Sequence, residues 1–188
     1  GSMPPLGPPA LARGAGPPQA RSMTWERAWR EGRTGWDAGA SPPVLRELVA
    51  AGALPTGRAL VPGCGAGYDV LTLASEARTA LGLDLAPTAA ARFEALRVTH
   101  GVPADRARVV VADFFAFEPD SPFDLVWDYT FLCAIDPSAR RDWARKMERL
   151  VAPDGELLTL IFPAVDEPPL GQKPPHPLKP EHVHELLQ

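Results

Sequence analysis

The sequence predicts an α/β fold of three layers, doubly wound around a mostly parallel sheet. Two observations predict it. From Thr24 onward, apolar runs alternate with helical patterns of about 10–15 residues, the rhythm of strand–helix–strand crossovers. Glycines then recur in Gly63-Cys64-Gly65-Ala66-Gly67 directly after the first apolar run, and Asp84 closes the second. A length of 188 residues suits one domain with a sizeable core.

Composition narrows the class. Hydrophobic residues make up 45% and charged residues 22%, as in globular proteins. A net charge of −4 disfavours nucleic acid as a partner, because phosphate binding needs a basic face. No apolar run approaches the roughly 20 residues that span a bilayer, and no charged-then-apolar signal segment opens the chain. A cytoplasmic protein without membrane partners is expected. Cys64 and Cys133 read as reduced thiols, and no Cys, His or carboxylate spacing suggests a metal site.

The elements follow in order. Gly1-Ser2 reads as a tag remnant, and the Pro/Gly-rich residues up to 23 as a disordered leader, leaving 24–188 as the domain. Thr24 is a candidate N-cap for a helix over 24–31, and Pro43 opens another over 43–51. Strands are expected at 58–62, 79–84, 108–112, 123–129 and 156–162. Helices are expected at about 67–77, from Pro87 towards His100, and at 137–151. Pro153-Asp154-Gly155 reads as a turn before the fifth strand. The proline-rich stretch 163–180 reads as a loop, and 181–188 as the start of a helix. A sheet ending on that strand leaves an exposed edge, so a fragment, or completion by another segment, is expected.

Four strand ends carry chemistry. A glycine turn after a strand brings bare backbone against a ligand at the carboxyl edge of a parallel sheet. Asp84, at the next strand end, is placed to accept hydrogen bonds from both ribose hydroxyls; a helix cap at Pro87 is the other reading. Asp113 and Phe114 after the third strand can accept from an adenine amino group and stack on its ring, although core packing serves Phe114 equally. Asp128-Tyr129 ends the fourth strand at the same edge. Gly63 and Gly65 in a Gly-x-Gly-x-Gly turn lack the spacing of the dinucleotide fingerprint, which disfavours NAD. Together they describe a site for one adenosine-sized ligand. Trp25 and Trp29 share a helix face and, with Trp36, fit a core staple as well as a site wall.

Five motifs carry a resemblance. Trp25-Glu-Arg-Ala-Trp29, Gly32-Arg-Thr-Gly-Trp36-Asp37, Leu60-Val-Pro-Gly-Cys-Gly65, Asp113-Phe-Phe115 and Trp127-Asp-Tyr-Thr-Phe-Leu-Cys-Ala-Ile135 resemble the thiopurine methyltransferase family, in its order, from about Thr24 to Leu187. Within it they are most similar to the thiol and halide methyltransferases. The resemblance implies a Rossmann-like class I methyltransferase with S-adenosylmethionine as methyl donor and S-adenosylhomocysteine as product. It also implies that Trp25, Trp29 and Trp36 form an N-terminal lid over the cofactor. Gly63 would lie against its methionine portion, Asp84 would bind ribose, Asp113 and Phe114 would hold adenine, and Tyr129 would touch the cofactor too. A monomer acting on a small thiol, bisulfide, halide or thiopurine is implied. Two departures accompany it: the family's two further C-terminal strands have no counterpart here, and His176 stands where such relatives commonly have an aromatic residue.

The expected reaction is direct in-line displacement on an already electrophilic methyl group, with no residue acting as an essential base. The alternatives are an O- or N-methyltransferase of a larger metabolite, which would need a base near Tyr129 or His176, and a cofactor-binding but inactive partner subunit.

Overall fold

A computed structural model of the chain describes residues 18–164 and 174–188. The first 17 residues of the expected leader, and part of the expected proline-rich loop, lie outside the described residues. Five strands form one parallel sheet: β1 (Gly57–Pro62), β2 (Arg78–Asp84), β3 (Ala107–Val111), β4 (Phe123–Tyr129) and β5 (Val151–Leu160), in the order β3-β2-β1-β4-β5. The helices are α1 (Pro18–Arg30), α2 (Pro43–Ala50), α3 (Tyr68–Leu73), α4 (Pro87–Thr99), α5 (Arg140–Leu150) and α6 (Pro180–Leu186).

Both faces of the central strands are buried, as their near-continuous apolar runs require. Alternation along β1 divides them. Leu60 joins Phe123, Val126, Trp143 and Met147 in one core cluster, whereas Ala59 and Val61 join Leu45, Val70, Leu73 and Phe93 in the other. The order reverses at β1, with β2 on one side and β4 on the other, and ligands bind at such a switch point.

Four elements differ from expectation. α1 is already helical at Pro18, upstream of the expected start near Thr24. α3 stops at Leu73, four residues early. There Arg78, 7% exposed, donates from its guanidinium to the carbonyls of Leu73, Leu54 and Pro55, so the helix end is capped by a charged side chain. Pro137–Ala139 is a 3-10 turn held by the Asp136 carboxylate, which accepts from the Ser138 N–H and hydroxyl. Pro153-Asp154-Gly155 does not precede β5 but interrupts its pairing. Phe123 pairs with Val151 and Leu125 with Glu156, so residues 152–155 bulge opposite Asp124.

Candidate functional site

The site lies at the carboxyl ends of β1, β2 and β4. The loop after β1 turns through Gly63 at φ +57° and Gly65 at φ +54°, left-handed conformations that side chains seldom adopt. A methyl group on Gly63 would stand 2.5 Å from the Phe131 ring, and one on Gly65 would stand 3.2 Å from the Trp29 indole. The backbone therefore favours glycine at both positions, and at Gly63 space requires it as well.

Asp84 ends β2 against this loop. One carboxylate oxygen accepts the Gly65 N–H at 2.8 Å, and the other accepts the Ala86 N–H at 2.9 Å. Burial raises its pKa, and the backbone donors partly oppose that rise. Asp84 thus ties the glycine loop to the segment that leads into α4.

The N-terminal tryptophans pack over the loop. Trp29, 2% exposed, sits among Ala66, Ala86 and Ala89, and the Arg92 guanidinium lies 5.1 Å above its ring. Trp36 is 46% exposed and meets Trp25 and Trp29 edge-on, at 5.1 and 6.2 Å between centroids. Trp29 satisfies the core reading, while Trp36 does not.

At the end of β3, Asp113 accepts the Phe115 N–H at 2.9 Å in a tight local turn. The Phe114 ring is only 3% exposed and packs edge-on against Phe115 and Phe131. Phe114 belongs to the core cluster that holds Leu60 and Trp143.

β4 delivers the remaining wall. The Trp127 indole donates to Asp69 at 2.8 Å, and the buried Asp128 accepts the Leu132 N–H at 3.1 Å and the Trp143 indole at 2.9 Å. Burial pushes the Asp128 carboxyl up to about 6. Asp128 thereby fixes the turn that carries Tyr129 and Thr130. Thr130 is the single non-glycine residue at positive φ among the described residues, at +65°, and its hydroxyl donates to the Tyr129 carbonyl. This left-handed turn stands at the strand end and lines the cavity described next.

Trp29, Trp36, Gly63 and Tyr129 wall one cavity, together with Asp37 and Asp69. Trp25 reaches it through Trp36, and Gly65 and Asp84 adjoin it through their hydrogen bond. Asp113, Phe114 and His176 are outside its walls. The His176 backbone N–H donates to the Cys133 carbonyl at 2.7 Å, which pins the end of the proline-rich segment to the turn after β4. Cys64 and Cys133 are both free thiols, as expected, and burial pushes Cys133 up to about 12.

Sequence reasoning missed Asp69, Tyr68, Glu26 and Asp37. Asp69 had a signal, an acid in the first turn of a helix two residues after the last glycine of the turn. Glu26 and Asp37 had none, because their partners Thr88 and Tyr68 are distant in sequence.

The arrangement fits S-adenosylmethionine. A glycine loop that a Cβ would obstruct, a carboxylate at the next strand end, and an aromatic-walled cavity at the switch point are the fittings this cofactor needs. The fold and site are those of a class I S-adenosylmethionine-dependent methyltransferase. Residues 20–188 match the model of the thiopurine S-methyltransferase family, and the chain belongs to that family. It is 46% identical over 164 residues to the probable thiol methyltransferase 2 of Arabidopsis thaliana, covering 87% of this chain and 70% of that protein. It is 44% identical over 144 residues to thiocyanate methyltransferase 1 of Brassica oleracea, covering 76% and 62%. The crystal structure of a Burkholderia thailandensis 1,6-didemethyltoxoflavin-N1-methyltransferase, solved with S-adenosylhomocysteine, shares the fold. Its TM-score is 0.71 at 20% identity, over 95% of this chain and 80% of that one.

Proposed function

We propose that this chain transfers a methyl group from S-adenosylmethionine to a small, soft nucleophile: an organic thiol, bisulfide, thiocyanate or a halide. The observation that carries the reading is the cavity between the ends of β1 and β4, walled by Trp29, Trp36 and Tyr129 beside Gly63. Large rings around a small space exclude water from an ion and hold it in line, which suits displacement by a nucleophile that needs no deprotonation. The thiol and thiocyanate acceptors named for the relatives agree with it.

Trp25, Trp29 and Trp36 cover the cofactor in this reading. Gly63 lets its methionine portion approach the backbone, and Asp84 holds the ribose. Asp113 and Phe114 hold the adenine. Tyr129 closes the side next to the acceptor. The cofactor supplies a sulfonium-activated methyl group; the residues supply position and a dry wall.

The test is a headspace assay by gas chromatography, with S-adenosylmethionine and competing bisulfide, thiocyanate and iodide. Methanethiol, methyl thiocyanate or methyl iodide formed only with protein is the expected result. Silence with every small acceptor, despite measured binding of S-adenosylhomocysteine, would overturn the reading in favour of a larger acceptor.

A further inference from the structure

Three of the four connections between successive strands carry a helix: α3 between β1 and β2, α4 between β2 and β3, and α5 between β4 and β5. Residues 112–122, between β3 and β4, cross without one. α3 and α4 pack through Val70, Leu73 and Phe93 on the Val61 face of the sheet. α5 packs through Trp143 and Met147 on the Leu60 face, against β4 and β5. On the Leu60 face the amino ends of β1, β2 and β3 therefore lie open, and a cleft of about 160 Å³ runs along them. That is far above the roughly 10–15 Å³ that one water needs. Register builds its wall. Arg58 stands beside Thr79 in one cross-strand row, and Leu60, Leu81 and Arg108 form a second on the same face. Arg106, just before β3, adds a third guanidinium, and Phe123 adds apolar surface.

The cleft is basic in a chain whose net charge is −4. Three guanidiniums line it against one carboxylate, the exposed Asp105. Surface arginines elsewhere are matched to acids: Arg27 and Arg33 to Glu31, and Arg145 to Asp142. Among the described residues none of the three cleft arginines has an ion pair. Arg58 donates to the Ser121 carbonyl at 3.0 Å and lies over the Phe123 ring, and Arg106 donates to the Glu76 carbonyl at 2.7 Å. Exposed Arg108 makes no hydrogen bond or ion pair among the described residues. We propose that this cleft binds a phosphate group, free or carried by a small metabolite. Guanidinium forks match phosphate oxygens two at a time. A tetrahedral dianion offers acceptors to three forks and the Thr79 hydroxyl, whereas a carboxylate has only two oxygens. The cleft lies at the opposite end of β1 and β2 from Gly63 and Asp84, so it stands apart from the methyl-transfer reading.

Titration of the full chain with inorganic phosphate and with glycerol 3-phosphate, followed by amide NMR, tests this. The pH is 8, where a phosphomonoester is doubly charged, and chloride holds the ionic strength constant. Saturable shifts are expected at residues 79–81 and 104–108, with the glycine loop at 63–67 unmoved. Arg106→Gln and Arg108→Gln should each weaken binding about fivefold, and Arg108→Lys should recover only part of the loss, because an ammonium offers no fork. Arg141→Gln removes the same charge from the exposed face of α5 and should change nothing. The amide spectrum of each variant reports at once whether its fold is kept. Tighter binding of glycerol 3-phosphate would assign the cleft to a metabolite, and equal or weaker binding to free phosphate. Shifts that never saturate, shifts confined to the glycine loop, or an equal loss in Arg141→Gln would overturn the proposal and leave methyl transfer untouched.

Discussion

Glu26 on α1 takes two hydrogen bonds from Thr88 in the first turn of α4, from the backbone N–H at 2.9 Å and from the hydroxyl at 2.6 Å. The pair joins the helix carrying Trp25 and Trp29 to the crossover that leaves Asp84. Thr88's donors hold the Glu26 carboxyl below its ordinary range, as expected for a carboxylate at a helix N-terminus.

Breaking this clasp should loosen the tryptophan wall. Glu26→Ala is expected to cost about 1–2 kcal/mol in thermal unfolding and to weaken S-adenosylhomocysteine binding, with Glu26→Gln intermediate. A carboxyl whose folded pKa is lowered contributes stability above its unfolded pKa and loses it as pH falls through the folded one. Docking of α1, followed by tryptophan emission, should therefore fail on the acid side. Unchanged affinity in Glu26→Ala would show that α1 holds without it.

The tryptophans should separate by role. Trp29 is 2% exposed, so Trp29→Ala is expected to lose roughly 3–5 kcal/mol of stability. Trp36 is 46% exposed, so Trp36→Ala should stay within about 1 kcal/mol of the parent while losing cofactor affinity. Calorimetric unfolding set beside a binding isotherm reads both. Equal stability loss in the two variants would mean that Trp36 is core after all.

Asp128 gives the protein a stability that depends on pH. Its carboxyl is raised from 3.8 to about 6, chiefly by burial. The folded state therefore holds the proton more tightly than the unfolded one. The contribution is full below about pH 4, declines as pH rises through about 6, and amounts to roughly 3 kcal/mol across that window. Denaturant midpoints measured from pH 4 to 7 should show this decline, and Asp128→Asn should flatten it. A profile that keeps its slope in the variant would assign the titration to another group.

Much of this was legible in the chain. The order of strands and helices followed from period and punctuation, because each central strand is buried on both faces and each helix on one. The glycine turn and Asp84 were legible for a local reason: a strand that breaks into Gly63-Cys64-Gly65 can take the left-handed turn that side chains resist, and the acid ending the parallel neighbouring strand emerges at the same edge. Phe114 was not, since an aromatic after an acid reads alike whether it stacks on a ligand or on Phe131. The end of α3 was missed because Arg78, which caps it, acts through carbonyls that the fold alone brings within its reach.

The sequence by itself determined the parallel α/β framework, the glycine loop and the family to which the chain belongs. These rest on local backbone preference and on hydrophobic periodicity, and both are written in neighbouring residues. Tertiary structure alone decided that Glu26 clasps Thr88, that Asp128 pins the turn bearing Thr130, and that Asp37 and Asp69 meet across one cavity. The first and last of these join residues tens of positions apart, and the second depends on the Trp143 indole fifteen residues on. Their energies depend on burial and distance, and neither is fixed until the sheet has been wound.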